Sequence, residues 1–188
     1  QQILLQGTCQ LFQVLGSREP QQDAKVLTAI IGRMEYQGLL NEAEPDAETE
    51  MLKGFEFNTN AQVSTVLLLT INPTIDRATG NLVVEIPAFD PKVFVKSPQG
   101  ATHFSFKAMG LSLNFTTGAK ELDLQIGNLL PLDTEAAAQS LSCSLAANGT
   151  DPLFLVLGVE FFQVVNGKNY PLNNGAHNAV SIVEVAGL

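Results

Sequence analysis

The sequence is poor in the residues that most often carry chemistry in protein sites. Of its 188 residues none is tryptophan, while tyrosine, histidine and cysteine occur twice each. Neither GxGxxG nor GxxxxGK[ST] is present, so a glycine-rich phosphate loop is not expected. Cys9 and Cys143 lie far apart and neither belongs to a CxxC pair, which argues against a zinc or redox site. A disulfide between the two cysteines stays open.

Charge is also scarce, and what there is has mostly one sign. The chain holds 10 Lys and Arg against 19 Asp and Glu, for a net charge of −9. Without a basic run we expect no nucleic-acid partner. No segment reaches the roughly 18 continuous apolar residues of a membrane helix, so no membrane span is expected. Charged residues make up 15% of the chain, against about 25% in ordinary domains. This predicts either a large core or an apolar surface covered by a partner.

Residues 1–50 predict a helical segment followed by an acidic connector. Two stripes at helical spacing indicate an αα-hairpin; they are Leu4, Thr8, Leu11 and Leu15, then Leu27, Ile30, Ile31 and Met34. Acids alternate with other residues from Glu42 to Glu50. The glycine and ligand order of an EF-hand are missing there, so we expect a solvated connector and not a calcium loop. Because the chain opens at Gln1 without Met, we expect a processed form or a fragment.

Residues 51–188 predict a mainly β domain, because short apolar runs alternate with turn residues. The expected strands are 53–57, 62–71, 82–86, 93–96, 103–108, 112–116, 121–126, 138–146, 153–165 and 179–185. Such spacing favours a sandwich or a barrel. Between these we expect an antiparallel, Ig-like β-sandwich of about seven to nine strands, preceded by the short N-terminal α-helical hairpin.

Turn residues predict two hairpins. Asn166-Gly167 fits a type I′ turn, since both residues tolerate positive φ. The longer loop 76–81 is expected to place Gly80 in the left-handed region. Four prolines should mark strand ends, edges or bulges; they are Pro73, Pro87, Pro91 and Pro98.

Several blocks resemble a family of uncharacterised Bacteroidota proteins. They are residues 52–58 (LKGFEFN), 74–80, 86–89, 98–104, 152–162 (PLFLVLGVEFF), 165–167 and 170–179. The similarity runs from about residue 25 to 186, and its last block is the most specific. The resemblance implies no activity, cofactor or catalytic residue. Members of that family begin with a further basic segment resembling a β-hairpin, which this sequence lacks.

The titratable residues offer few catalytic arrangements. His103 and Ser105 would share one strand face, but no neighbouring acid in sequence orients the histidine, and His177 stands alone. We therefore expect structural histidines. A glycosidase-type carboxylate pair would have to come from Glu85, Asp90, Glu121, Asp123 or Glu160. Glu160 interrupts an apolar run opposite Val159 and Phe161, and we expect it on an outward face.

Two further patterns carry little information about function. The triplets at Asn114 and Asn148 match the glycosylation acceptor pattern, which is short and often accidental. Carbohydrate-binding surfaces usually need exposed aromatic side chains, and most phenylalanines here lie at core positions. Tyr170, or a phenylalanine between Asp90 and Pro98, would have to serve.

These observations favour a non-enzymatic structural or assembly protein. We expect a β domain that associates with copies of itself or a partner chain, with strand addition as one route, in a surface or extracellular polymer. The alternative is a surface module that binds a glycan or small ligand. No catalytic, cofactor-binding or metal-binding residue is assigned, and no cofactor is expected. An extracellular or cell-surface location is favoured.

Overall fold

The structure is a computed structural model that describes residues 49–58, 60–114, 117, 119–172 and 177–187. Within these ranges the chain forms nine strands, two single-turn helices and a 3₁₀ turn. The strands are β1 (Asn72–Asp76), β2 (Asn81–Ile86), β3 (His103–Leu113), β4 (Lys120–Ile126), β5 (Leu130–Pro131), β6 (Gln139–Ser144), β7 (Leu153–Val165), β8 (Lys168–Pro171) and β9 (Ala179–Ala186). The helices are α1 (Val63–Val66) and α2 (Pro91–Phe94), and the 3₁₀ turn is Glu50–Leu52.

The strands form two sheets in which all pairings are antiparallel. The smaller sheet has the order β1-β2-β6. The larger sheet runs β4-β3-β7, and β7 then pairs along its other side with β9 and with β8. Short β5 extends the β4 side of β3, and the larger sheet curls toward a half-barrel. The predicted mainly β, antiparallel architecture is confirmed for the described residues.

One apolar core lies between the two sheets. Its fully buried side chains come from both, which requires the inward faces to be packed together. They include Leu82, Val84 and Ile86 from β2, Phe104 and Phe106 from β3, and Leu155, Leu157 and Phe161 from β7. Phe104 and Phe106 meet edge to face with ring centroids 5.4 Å apart, and Phe89 packs beside both.

The other face of the larger sheet is buried as well. Its apolar side chains pack with Leu52, Phe55 and Phe57 from the segment that precedes α1. The sheet residues in this second cluster are Met109, Leu111, Leu113, Phe154, Val156, Val180, Ile182 and Val185. Because both faces of β3 and β7 are covered, these strands are apolar along most of their length.

The strand predicted at 62–71 is wrong. Val63–Val66 forms the helical turn α1 instead, with Val63 and Val66 buried. The Glu56 carboxylate accepts hydrogen bonds from the amides of Val63 (2.9 Å) and Ser64 (3.2 Å). Those bonds satisfy donors that a helix start leaves unpaired, and they override the strand propensity of valine and threonine.

The strand predicted at 93–96 is also wrong in its first half. Pro91 occupies the first turn of α2, and the Asp90 carboxylate accepts from the amide of Lys92 at 3.0 Å. An Asp cap followed by proline is a helix start signal that the apolar pattern obscured. Only Val95 has strand geometry, in a bridge with Leu67.

The predicted strand 103–108 and the beginning of the predicted strand 112–116 form one continuous strand, β3, which ends at Leu113. Residues 115 and 116 lie outside the described residues. Gly110 lies within β3, between the two predicted strands. A Cβ at this position would lie 2.9 Å from the Cβ of Cys143. Gly110 therefore serves the close approach of β6 and not a turn. The strand predicted at 53–57 is absent too, although this segment hydrogen-bonds to β9.

The two hairpin turns are as predicted. Asn166 and Gly167 have φ values of 52° and 74°, and Gly80 has φ of 75°. The predicted strands 82–86, 121–126, 138–146, 153–165 and 179–185 match β2, β4, β6, β7 and β9. The expected helical hairpin and acidic connector lie outside the described residues, apart from the last of the connector.

Candidate functional site

His103 begins β3 and does not reach a nucleophile. Its Nδ1 lies 2.9 Å from Thr102 Oγ1, and that hydroxyl also accepts from the amide of Val164 at 2.9 Å. Ser105 lies two residues on, on the same strand face, which separates the two residues by about 6.6 Å. That spacing exceeds the hydrogen-bond reach a general base needs.

Glu160 is not on a solvent-facing surface, so that expectation is wrong. It does point away from Val159 and Phe161, but the face it occupies is the second buried face of the larger sheet, and it is 8% exposed. Ser105 lies directly across from it on β3. Lys107, 4% exposed, places Nζ 2.5 Å from Glu160 Oε2. A lone sequence gave no sign that a lysine would be buried beside this acid.

The remaining candidate acids hold local structure. Asp90 caps α2, and Glu85 lies 3.4 Å from the Asn72 amide on the outer face of the smaller sheet. Glu121 and Asp123, both on β4, bind backbone amides of the segment that contains β6. These acids are therefore distributed over different elements.

Cys143 is a free, buried thiol. Its Sγ donates to the carbonyl oxygen of Ala108 at 3.5 Å. Burial, with a smaller effect from the nearby Asp123 charge, raises the thiol pKa to about 12. A thiol with so high a pKa is a poor nucleophile near neutral pH. Cys9 lies outside the described residues.

The described structure also bears on metal binding, on His177 and Asn114, and on a membrane span. Within the described ranges no group of three or more His, Cys, Asp or Glu side chains could hold a metal ion. His177 is exposed just before β9. The Asn114 amide donates to the Asp151 carboxylate at 2.7 Å. Among the helices of the described chain, none has the length and apolarity needed to cross a membrane.

The strand edges differ sharply in how they are protected. Leu145 donates a hydrogen bond to Gly80, which fixes the β2 residues whose backbone groups face β6. The alternate residues of β2 face β1, where they hydrogen-bond to Asn72, Thr74 and Asp76. Pro73 and Ile75 therefore face outward, and Pro73 has no N–H. The type I′ turn similarly leaves Asn169 and Pro171 facing outward on β8. Each of these edges is blunted by a proline.

The outer edge of β9 is covered by the chain itself. Gly54 donates to the carbonyl of Ile182, Ile182 donates to Phe55, and Phe57 donates to Val180, at 2.7 to 2.9 Å. Residues 54–57 thus occupy the outward groups of β9 without forming a regular strand. No further strand can add along that stretch unless this segment leaves.

The outer edge of β6 is bridged to β4 by carboxylates. Ser144 donates to Asp123 Oδ2 at 2.9 Å, and Ala146 donates to both oxygens of Glu121 at 3.0 and 3.1 Å. We call the carboxylates of Glu121 and Asp123 on β4, together with the outer edge of β6 and Leu145 and Ala146, the β4–β6 seam. Side chains here take the place of a strand-to-strand ladder and hold the two sheets together.

The outward backbone groups of β4 have no such protection from the residues that the structure describes. Asn114 donates to Ala119, and Gly127 donates to Phe106. With the pairing register, these two hydrogen bonds fix which residues of β4 direct their backbone groups toward β3. Leu122 and Leu124 therefore direct N–H and C=O away from β3. Across the described part of the chain nothing hydrogen-bonds to them. β4 contains no proline, and Ile126 at its end is 56% exposed.

A second surface feature is an open groove of about 560 Å³ at one end of the smaller sheet. Asn72, Glu85 and Ser140 form one cross-strand row there. Ile71, Ile86 and Pro87 supply apolar lining. Gln139 also lines the groove, and its Nε2 is buried without a hydrogen-bond partner among the described residues.

The sequence indicated no functional site, and it does not show which strand edges are open. Which backbone groups face outward depends on pairing register, which a single sequence does not give. The signals that existed were the prolines at positions 73 and 171 and their absence from 120–126. No protein-family model, curated protein or solved structure matches the chain.

Proposed function

We propose that the chain is a non-enzymatic structural or assembly protein. Its Ig-like β-sandwich domain associates with copies of itself or with a partner chain, as the subunit of a surface or extracellular polymer would. We also propose that the chain is a member of the uncharacterised Bacteroidota family. The sequence blocks at 152–162 and 170–179 support this assignment.

The observation that supports this function is the unprotected outer edge of β4. Natural sheets blunt their edges with proline, bulges or covering segments because an open edge is a template for another strand. Here β1 and β8 carry prolines and β9 is covered, while no described residue hydrogen-bonds to the outward backbone groups of Leu122 and Leu124. The small charged fraction of the sequence, 15%, favours burial of further surface by association.

Association of copies, in which the β4 edge of one copy pairs with a different surface of the next, is tested on the full chain by light scattering after size exclusion, over a wide concentration range. We expect the mass to rise with concentration and the amides of Leu122 and Leu124 to exchange hydrogen more slowly in the associated form. Ile126→Pro removes an outward N–H and an exposed apolar side chain without removing a β3 hydrogen bond. We expect it to weaken association.

Asn169→Pro is the matched control. It places a proline at an outward position of β8, an edge that already carries Pro171, so association should not change. A chain that stays monomeric at all concentrations, with unchanged exchange at Leu122 and Leu124, contradicts association between copies. Equal loss in both proline variants contradicts the assignment to β4.

The second candidate function is binding of a glycan or small polar ligand in the groove. The row of Asn72, Glu85 and Ser140 supports it, because amide, carboxylate and hydroxyl groups beside apolar side chains suit such ligands. A glycan array, followed by titration of any hit against Glu85→Gln, tests it. Absence of hits, or hits unaffected by that substitution, would count against it.

A further inference from the structure

β4 has two chemically distinct faces. Leu122, Leu124 and Ile126 point to the face that carries the second apolar cluster, since they lie opposite Leu111, Met109 and Lys107. Glu121, Asp123 and Gln125 point to the opposite side, toward the smaller sheet, where two of them meet β6. A strand added to β4 would place its own side chains alternately beside these two rows.

The acidic row makes a second copy of β4 a poor occupant. Antiparallel self-pairing that keeps apolar residues on one side would set Glu121 and Asp123 opposite or diagonal to the same acids. Like charges across a strand pair are destabilising. The protein's overall charge of −9 adds to that repulsion.

The seam supplies further acceptors for a cation. The N–H of Ser144 points away from β2 and donates to Asp123. Because every second residue of β6 directs its backbone groups to the same side, the carbonyls of Ser140 and Ser142 also point away from β2. In the described chain no donor reaches these two carbonyls. The carboxylates of Glu121 and Asp123 accept from Ala146 and Ser144 but have remaining lone pairs. Ammonium or guanidinium groups directed to this side would meet these carboxylates and carbonyls, beside the Gln125 amide, which donates to Asp123 Oδ2 at 3.0 Å.

We propose that the β4 edge binds an extended strand from another chain in which Lys or Arg alternates with apolar residues. The apolar residues lie along Leu122, Leu124 and Ile126. The basic residues lie along Glu121 and Asp123. This inference rests on the proposed function and names the partner of its edge.

The probe is a synthetic peptide of about nine residues, a common strand length, in which valine alternates with lysine. One control peptide carries glutamate in place of lysine. A second has the same composition with the lysines in one block, which keeps the charge but breaks the alternation. Binding to the full chain is followed by fluorescence anisotropy, and its location by hydrogen exchange.

We expect the alternating lysine peptide to bind and to slow exchange at Leu122 and Leu124. The glutamate peptide should bind about tenfold more weakly or not at all, since each cross-strand charge pair changes affinity severalfold. Equal binding of the block peptide, or protection elsewhere than β4, overturns the proposal because simple charge attraction then suffices. Absence of binding by the alternating peptide overturns it too.

The double variant Glu121→Gln with Asp123→Asn keeps oxygen acceptors for Ala146 and Ser144 while removing both charges. We expect about tenfold weaker binding of the lysine peptide and no change for Asp133→Asn, an exposed acid outside the seam. If the double variant does not fold, Gln125→Lys adds a repelling charge on the same side and should weaken binding as well. Unchanged binding in a folded variant contradicts the proposal.

The two proposals fail in different ways. If the peptide does not bind but concentration-dependent association persists and remains sensitive to Ile126→Pro, the function stands and the partner's chemistry is wrong. If neither is seen, both are wrong.

Discussion

Lys107 reaches Glu160 across a glycine. The residue directly opposite Lys107 on β7 is Gly158, and the residue opposite Glu160 on β3 is Ser105. Lys107 Nζ therefore joins Glu160 Oε2 along the diagonal, at 2.5 Å, over a position that has no side chain. The ion pair lies on a face whose other neighbours include Met109 and Val156.

Breaking this ion pair should cost far more than replacing it. Glu160→Gln or Lys107→Met leaves one charge buried without its partner, and we expect unfolding free energy to fall by about 3 kcal/mol or more. The double variant Glu160→Gln with Lys107→Met should recover most of that loss, because it buries no charge. Urea unfolding of the four proteins measures the effects. Additive losses in the double variant would contradict this account.

Gly80 and Gly167 form a matched pair of left-handed glycines. Their φ values are 75° and 74°, but a Cβ at Gly80 would lie 2.1 Å from the carbonyl oxygen of Leu145, whereas one at Gly167 would meet nothing within 4 Å. Gly167→Ala should cost about 1–2 kcal/mol from backbone strain alone. Gly80→Ala should cost clearly more, since β6 must shift. Thermal unfolding distinguishes them, and equal losses would show that the contact does not matter.

Arg77 fastens the β1–β2 loop to two distant segments. Its guanidinium donates to the carbonyls of Gly149, Asp151, Ala186 and Gly187 at 2.7 to 2.9 Å. A lysine cannot reproduce this planar fork. We expect Arg77→Lys to lower unfolding free energy by about 2 kcal/mol and to speed hydrogen exchange in residues 149–151. A lysine variant as stable as the parent would contradict a role for the fork geometry.

Cys143 should be unreactive in the folded protein. Because its pKa is raised to about 12 from 9.0, the folded thiol stays protonated where an unfolded one ionises. Stability should therefore fall as pH rises from 9 toward 12, on account of this group. Alkylation followed by peptide mapping should show slow labelling at pH 8 and fast labelling in denaturant. Rapid labelling of native Cys143 would contradict its burial.

The sequence predicted best where one local cause dominates. The Asn166-Gly167 turn needs only its own two residues, and β7 is apolar enough to be recognised across all thirteen positions. The failures at 62–71 and 93–96 have a different origin. Glu56 caps α1 from seven residues away in sequence, and Asp90 with Pro91 redirects an apolar run whose valines and phenylalanine favour a strand.

The candidate site was beyond sequence reasoning for a related reason. That Glu121 meets Ala146, or Lys107 meets Glu160, depends on pairings between residues 25 and 53 positions apart. The alternating pattern correctly placed Glu160 on the face opposite Val159 and Phe161. It could not show that the second face is covered, because the cover comes from Leu52 and Phe57 on another segment.

The register of β3 against β7 also sets how this protein must fold. Ser112 pairs with Leu153 and His103 pairs with Phe162, so the central ladder joins residues 41 to 59 positions apart. Closing such loops costs entropy before any contact repays it, which makes folding slow, on the order of milliseconds to seconds. Because β3 and β4 are neighbours in sequence, we expect their hairpin to form before β7 pairs with β3, which would leave both its edges open during that interval. A chain emerging during synthesis would be most vulnerable to unwanted pairing until β7 arrives, and chaperone demand should concentrate there.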